Sequence, residues 1–208
     1  MAKITALRET KGRDRVNLFL DGKFAFSLSA DFVSSKNLEC DQFLTDEEID
    51  ALSKSYLYQR CLTVATNFLS YRPRSTSELK TKLKRRGFDD DTQTRVLESL
   101  RAKGLLDDGA FAEFWTDNRA SFSPRSRSLT RIELRKKGVS TEVIERAVES
   151  IDDKDSAYRA ASGRLRSMRW SDHEQFRRRL GGYLQRRGFG YGVISATLER
   201  LWNEIKQQ

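Results

Sequence analysis

Three clusters of carboxylates could do chemistry: Asp89-Asp90-Asp91, Asp107-Asp108 and Asp152-Asp153-Asp155. A metal nuclease needs two or more carboxylates converging on Mg²⁺. Each cluster, however, stands just before a segment that reads as helix. There Asp satisfies the first unpaired N–H groups, and the positive end of the macrodipole favours an anion. Capping accounts for all three clusters, so no metal or other cofactor is expected. The glycine runs Gly181-Gly182 and Gly188-Phe189-Gly190-Tyr191-Gly192 lack the preceding strand and the following Lys-Ser/Thr of a phosphate loop. His173, the one histidine, sits between Asp172 and Glu174 and reads as an exposed helix residue, not as part of a Ser-His-Asp set. Cys40 and Cys61 are too few for a zinc site or a disulfide framework, and read as free thiols in a reducing cytosol. A non-enzyme is expected.

The cations carry the stronger signal. The 208 residues hold 39 Lys and Arg against 30 Asp and Glu, a formal charge of +9. Residues 1–53 contain 7 basic and 10 acidic residues, and residues 54–208 contain 32 and 20, so the whole excess lies after the first quarter. Arg outnumbers Lys by 26 to 13, which favours planar, bidentate contacts to phosphate or carboxylate. Such a balance predicts an anionic partner. No apolar run approaches transmembrane length, and the first residues lack the apolar segment of a signal peptide. A cytoplasmic protein without a membrane partner is expected.

The elements that must position these cations fall into two kinds. In the acidic first part, Val16, Leu18 and Leu20 alternate, as do Phe24, Phe26 and Leu28, around the hairpin turn Asp21-Gly22. An earlier run, Ile4 to Thr10, ends at Lys11-Gly12, so a small meander is predicted. Thr45-Asp46-Glu47-Glu48 has the form of a capping box and predicts a helix starting near Asp46.

The rest repeats. Tyr71-Arg72-Pro73-Arg74-Ser75-Thr76-Ser77 returns 51 residues later as Phe122-Ser123-Pro124-Arg125-Ser126-Arg127-Ser128. The same offset carries Leu83 onto Leu134 and Arg85-Arg86-Gly87-Phe88 onto Lys136-Lys137-Gly138-Val139. A third copy, about 50 residues on, keeps Leu184, Arg186-Arg187-Gly188-Phe189 and Leu201 but lacks the Pro-Arg-Ser segment. Ser171-Asp172-His173-Glu174 is expected to cap a longer second helix there. In each unit a helix ends at the Pro segment, a capped helix follows and closes on a basic pair and Gly, and a third helix buries an apolar stripe. The stripe is Val143, Ile144, Ala147, Val148 and Ile151 in the second copy, and Val193, Ile194, Thr197, Leu198 and Leu201 in the third. In the first copy Thr92 and Gln93 replace two apolar positions, so packing should rest on Val96, Leu97 and Leu100.

The predicted fold is mainly α: three tandem three-helix repeats in an elongated array, behind a small β-hairpin module. Expected domains are 1–53 (hairpin module with a short helix), 54–106, 107–151 and 152–208 (repeats one to three). Cations recur at matching places in these repeats. Those closing a helix suit its negative end. Those at helix starts oppose the dipole and point to an external partner. The predicted partner-binding residues are Arg74, Arg85, Arg86, Arg125, Arg127, Lys136, Lys137, Arg177, Arg178, Arg186 and Arg187. Arg164, Arg166, Arg169 and Arg179 add to the basic character of the third repeat. Trp115, Trp170, Trp202 and Phe122 could stack on bases, but aromatics at helical spacing usually belong to a core, and Trp115 and Trp202 are expected there.

Three segments carry a family resemblance. The hairpin residues Leu20-Asp21-Gly22-Lys23-Phe24 resemble the N-terminal part of the RecX regulatory proteins. So do Arg74 to Phe88 (RSTSELKTKLKRRGF) and Gly104 to Ala112 (GLLDDGAFA). The resemblance spans nearly the whole chain and is most specific over residues 71–112. It implies tandem three-helix repeats without enzymatic activity. It further implies binding along the RecA–DNA filament, with restraint of the recombinase's ATPase, strand-exchange and coprotease activities and so of the SOS response. A monomer, contacting single- and double-stranded DNA more weakly, is the accompanying expectation. The competing reading is a stand-alone DNA-binding protein with tandem helix-turn-helix-like units.

Overall fold

The computed structural model describes residues 1–10 and 14–207, so the expected break at Lys11-Gly12 lies outside the described residues. The chain divides into two compact units, Met1–Phe68 with Lys82–Ser99, and Leu69–Thr81 with Leu100–Gln208. Three helix triplets follow the strands in chain order, and no helix among the described residues is long and apolar enough to cross a membrane.

The first unit opens with strands β1 (Ala2–Glu9), β2 (Arg15–Leu20) and β3 (Lys23–Ser29). With β4 (Phe43–Leu44) they form an antiparallel sheet in the order β3-β2-β1-β4. Asp21 and Gly22 turn the hairpin with φ of 48° and 78°, as the dipeptide predicts. The predicted alternation holds for Val16, Leu18 and Leu28, which are buried. It fails at Phe24. A bulge between Leu18 and Phe19 sets Phe24 opposite Phe19, on the outer face and 56% exposed. There the two rings meet edge to face at 5.9 Å, and Arg8 lies 4.9 Å over Phe19. Helix α1 (Ala30–Ser35) adds Phe32 to a core of Ile4, Leu18, Leu28, Leu44 and Leu52.

Helix α2 (Asp46–Leu69) begins at the predicted box in its full reciprocal form. Glu48 N–H donates to Thr45 Oγ1 (3.1 Å), and Thr45 N–H donates to Glu48 Oε2 (2.7 Å). It runs unbroken across residue 53, so one helix serves both the hairpin module and the first repeat. It buries Cys61, whose thiol desolvation pushes up to about 11, with Asp89 adding to the effect.

Next come α3 (Thr76–Arg85) and α4 (Asp90–Ala102). Val96, Leu97 and Leu100 are buried, as expected, but so are Thr92 and Gln93. Each has found partners. The Thr92 N–H and hydroxyl both donate to the Asp89 carboxylate at 2.8 Å, and Gln93 Nε2 donates to Phe88 O at 2.7 Å.

In the second unit, α5 (Asp108–Phe122), α6 (Arg127–Lys136) and α7 (Thr141–Val148) enclose Phe111, Leu134, Val139, Ile144 and Val148. Then α8 (Asp153–Leu165), α9 (His173–Arg186) and α10 (Tyr191–Lys206) enclose Phe176, Leu180, Leu184, Leu198 and Leu201. The predicted stripes face these cores. Trp115 and Trp202 pack at their margins, and His173, exposed on the first turn of α9, stacks on Trp202 at 4.3 Å. α9 is indeed longer than α3 and α6, at 14 residues against 10. Its cap, however, is Asp172 and not Ser171: Gln175 N–H donates to Asp172 Oδ1 (2.8 Å), and Gln175 Oε1 accepts from Ser171 N–H (3.0 Å). A carboxylate is the stronger acceptor at a helix N-terminus, and it shifts the start by one residue.

Candidate partner-binding surface

The carboxylate clusters do structural work, in a pattern that repeats. Asp107 Oδ1 accepts from Gly109 N–H (2.6 Å), and Asp152 Oδ1 accepts from Lys154 N–H (2.7 Å), each capping its own helix. Their neighbours reach the preceding repeat. Asp108 Oδ1 accepts from Thr76 N–H at 2.8 Å, and Asp153 Oδ1 accepts from Arg127 N–H at 2.7 Å. One acid of each pair caps the first helix of its own repeat, and the next caps the middle helix of the repeat before.

The same junction consumes cations. Lys137 Nζ donates to Glu78 Oε1 at 2.6 Å and lies 5.1 Å over the Trp115 ring. Arg72 donates to both Glu78 oxygens, at 3.2 and 3.3 Å. Burial pushes the Glu78 carboxyl up, but the hydrogen bonds from Lys137 and Arg72 outweigh it and hold the group below its usual range. Ser75 Oγ donates to Lys137 O at 2.6 Å, while its N-capping role at Glu78 N–H is retained. At the next junction Arg187 donates to Ser123 Oγ and Pro124 O, both at 2.9 Å, and Ser126 N–H donates to Arg187 O at 3.0 Å.

The helix-start arginines are clasps too. Arg125 pairs with Glu133, which also accepts from Arg119 and Trp115. Desolvation, followed by repulsion from Arg119 and Arg187, holds the Arg125 guanidinium below its usual range. Arg127 donates to Ile151 O (2.7 Å) and Glu149 O (3.0 Å), carbonyls in the segment just past the end of α7. Arg125 and Arg127 thus each have a partner inside the fold, which the sequence expectation of an external one did not foresee. For each, its own helix repels the cation, but a neighbouring helix end or a carboxylate accepts it. Arg74 is half-buried, and desolvation, then repulsion from Arg72, lowers its guanidinium.

The predicted residues thus split. Arg125, Arg127, Lys137 and Arg187 are engaged within the fold. Arg85, Arg86, Lys136, Arg177, Arg178 and Arg186 are exposed. In the second and third repeats the first member of the basic pair faces solvent and the second, next to Gly, turns inward to the preceding repeat. Sequence reasoning missed this division. Phe122, one of the aromatics weighed for base stacking, is 82% exposed at the end of α5. The matched aromatic-x-Pro segment held the signal, since Tyr71 at the equivalent place is 83% exposed.

Comparison with known proteins agrees over the whole length. Models of the regulatory protein RecX match four successive stretches: the N-terminal domain over residues 2–45, then the first, second and third three-helix domains over 61–100, 107–148 and 152–198. A regulatory protein RecX of Bacillus licheniformis is 30% identical over 202 residues, covering 96% of this chain and 76% of the relative. One of Clostridium botulinum is 28% identical over 209 residues, covering 98% of each. A crystal structure of regulatory protein RecX superposes with a TM-score of 0.63 over 96% of this chain and 100% of the other, at 23% identity. RecX from Lactobacillus salivarius gives 0.58, covering 70% of this chain and 96% of the other, at 20% identity. Both show the fold.

Proposed function

The chain belongs to the RecX family of regulatory proteins, and on that premise we propose that it is a non-catalytic, cytoplasmic inhibitor of the RecA recombinase. It binds along the RecA–DNA filament and restrains ATP hydrolysis, strand exchange and coprotease activity. The observation that carries this reading is the set of exposed cations at one place in every repeat: Arg85 and Arg86, then Lys136, then Arg186, each near the end of a middle helix. A periodic partner presents the same anionic feature again and again. A tandem array offering one matching cation per repeat engages it at several points, and linked weak contacts reach an affinity no single contact gives. The carboxylate clusters support a non-enzyme, since Asp89, Asp107, Asp108, Asp152 and Asp153 each accept backbone N–H groups at helix starts.

The test is the single-stranded-DNA-dependent ATPase of the cognate recombinase, with the protein added to preformed filaments. Inhibition at far fewer than one molecule per protomer is expected. No inhibition at equimolar protein, together with tight binding to naked DNA, overturns the reading in favour of a stand-alone DNA-binding protein.

A further inference from the structure

We propose that the third repeat carries a groove for a single strand of nucleic acid, running between the end of α8 and the outer face of α9. This deepens the reading above and rests on it in one respect, that exposed arginines meet an anionic partner.

The groove has a volume of about 440 Å³. Its walls are Arg164, Arg169, Arg178, Arg179 and Arg186, and no acidic side chain lines it. The surface of the same unit is not basic throughout: a groove of about 570 Å³ in the second repeat is lined by Asp107, Glu113 and Asp117 with Arg146. The arginines are therefore a local concentration and not the general charge of the chain.

Their placement follows from helix geometry. Arg178, Gly182 and Arg186 stand four residues apart on one face of α9, so the Cα atoms of the two arginines are about 12 Å apart along the axis. Between them Gly182 has no side chain, and even a Cβ there would lie 3.5 Å from Arg186 Nη1. The Arg186 guanidinium thus reaches back over Gly182, into the groove that Arg178 also lines. Arg179 Nη1 donates to Arg169 O at 2.9 Å, which ties the wall formed after α8 to α9. Planar guanidinium groups so arranged suit phosphate oxygens, which they bind in pairs.

The aromatic side chains decide between occupants. A second depression, of about 480 Å³, shares Arg164, Ser167 and Tyr183 with the first and extends it to Arg159 and Phe122. Phe122 offers its ring to solvent, and Tyr183 carries Arg187 at 4.5 Å over its face. Tyr183 is half-buried under Arg187, so Phe122 is the exposed ring beside the basic track, and an exposed ring is what an unpaired base stacks on. A duplex keeps its base faces inside, and an acidic peptide has no need of the ring. A single strand uses both the cations and the exposed ring.

Fluorescence anisotropy of a labelled short oligothymidine on the full chain tests the proposal. Arg178→Glu with Arg186→Glu, both exposed positions, should weaken binding at least about tenfold and flatten the salt dependence by about 1.4 logarithmic units, two phosphates' worth. The milder pair Arg178→Gln with Arg186→Gln should follow in the same direction, and circular dichroism reports whether each variant is folded. Phe122→Ala should cost about fivefold or more. Lys23→Glu with Lys103→Glu, the same charge change at exposed sites outside the groove, should stay within about twofold. Equal losses in both reversal pairs overturn the proposal, because attraction is then a matter of net charge. Unchanged oligothymidine binding by the groove pair, with binding of polyglutamate lost instead, overturns it in favour of an acidic protein segment. The recombinase ATPase, run in parallel, separates the two readings. If the wild type does not inhibit it while the groove pair loses the strand, the filament reading fails and the groove stands. If the wild type inhibits it and the groove pair binds the strand normally, the groove fails alone.

Discussion

Glu78 shows how one carboxylate can tie two repeats. Ser75-Thr76-Ser77-Glu78 has the form of a capping box, whose reciprocal half takes the Glu78 carboxylate back to the N-cap N–H. Instead its oxygens accept from Arg72 and Lys137, and Ser75 caps the helix without it. These bonds hold the carboxyl below its usual range against the opposing effect of burial. A carboxyl depressed in the folded state adds stability that is present above its unfolded pKa, about 4.3, and is lost as pH falls through the folded value. Glu78→Gln should therefore lower stability by about 1–2 kcal/mol near neutral pH, as expected for hydrogen bonds between charged groups. Urea denaturation across pH checks this: the gap between variant and wild type should be widest near neutrality and close in acid below about pH 4. A gap that does not change with pH would mean that packing, and not the charge, makes the contribution.

At the scale of the helix, the middle elements α6 and α9 end in glycines that do two jobs. Gly138 and Gly188 have φ of 75° and 84°, and each lies against the start of the preceding repeat's middle helix. A Cβ on Gly138 would lie 2.4 Å from Ser77 Cβ, and one on Gly188 would lie 2.7 Å from Leu129 Cβ. Gly87, equivalent in sequence with φ of 81°, would meet nothing within 4 Å. Gly87→Ala should thus cost only the left-handed strain, about 1 kcal/mol. Gly138→Ala should add the overpacking of a rigid contact, for about 3 kcal/mol in all. Urea midpoints of the two variants decide it, and equal losses would remove the junction from the account. The elements themselves were legible in sequence because periodicity, Pro breaks and Gly ends are local signals. The apolar stripes of α7 and α10, the hairpin at Asp21-Gly22 and the repeat period follow from neighbours along the chain. The bulge that turns Phe24 outward and the Asp172 cap of α9 were not legible. One depends on register with another strand, and the other on competition between two acceptors one residue apart. The inward turn of Lys137 and Arg187 was hidden for a like reason: in sequence they match Lys136 and Arg186, and only the preceding repeat tells them apart.

For the whole molecule, what matters is how the exposed cations combine. A regulator held by one strong site and a regulator held by many weak ones look alike in a single mutant. They differ in how losses combine. If the repeats act as linked modules, removing one module's contact multiplies the dissociation constant by a fixed factor, and a second removal multiplies it again. The structure selects which residues to change: Arg85, Arg86, Lys136 and Arg186 are exposed, whereas reversing Lys137 or Arg187 would also break Glu78 or Ser123 contacts and confuse binding with stability. Arg85→Glu with Arg86→Glu should raise the concentration needed for half-inhibition of the recombinase ATPase several-fold, and so should Lys136→Glu with Arg186→Glu. The four-residue variant should show about the product of the two factors. The observation that would sink this is one pair abolishing inhibition while the other has no effect. The repeats would then be a scaffold for a single contact, and the recurrence of the cation would have to be explained by the helix macrodipole alone.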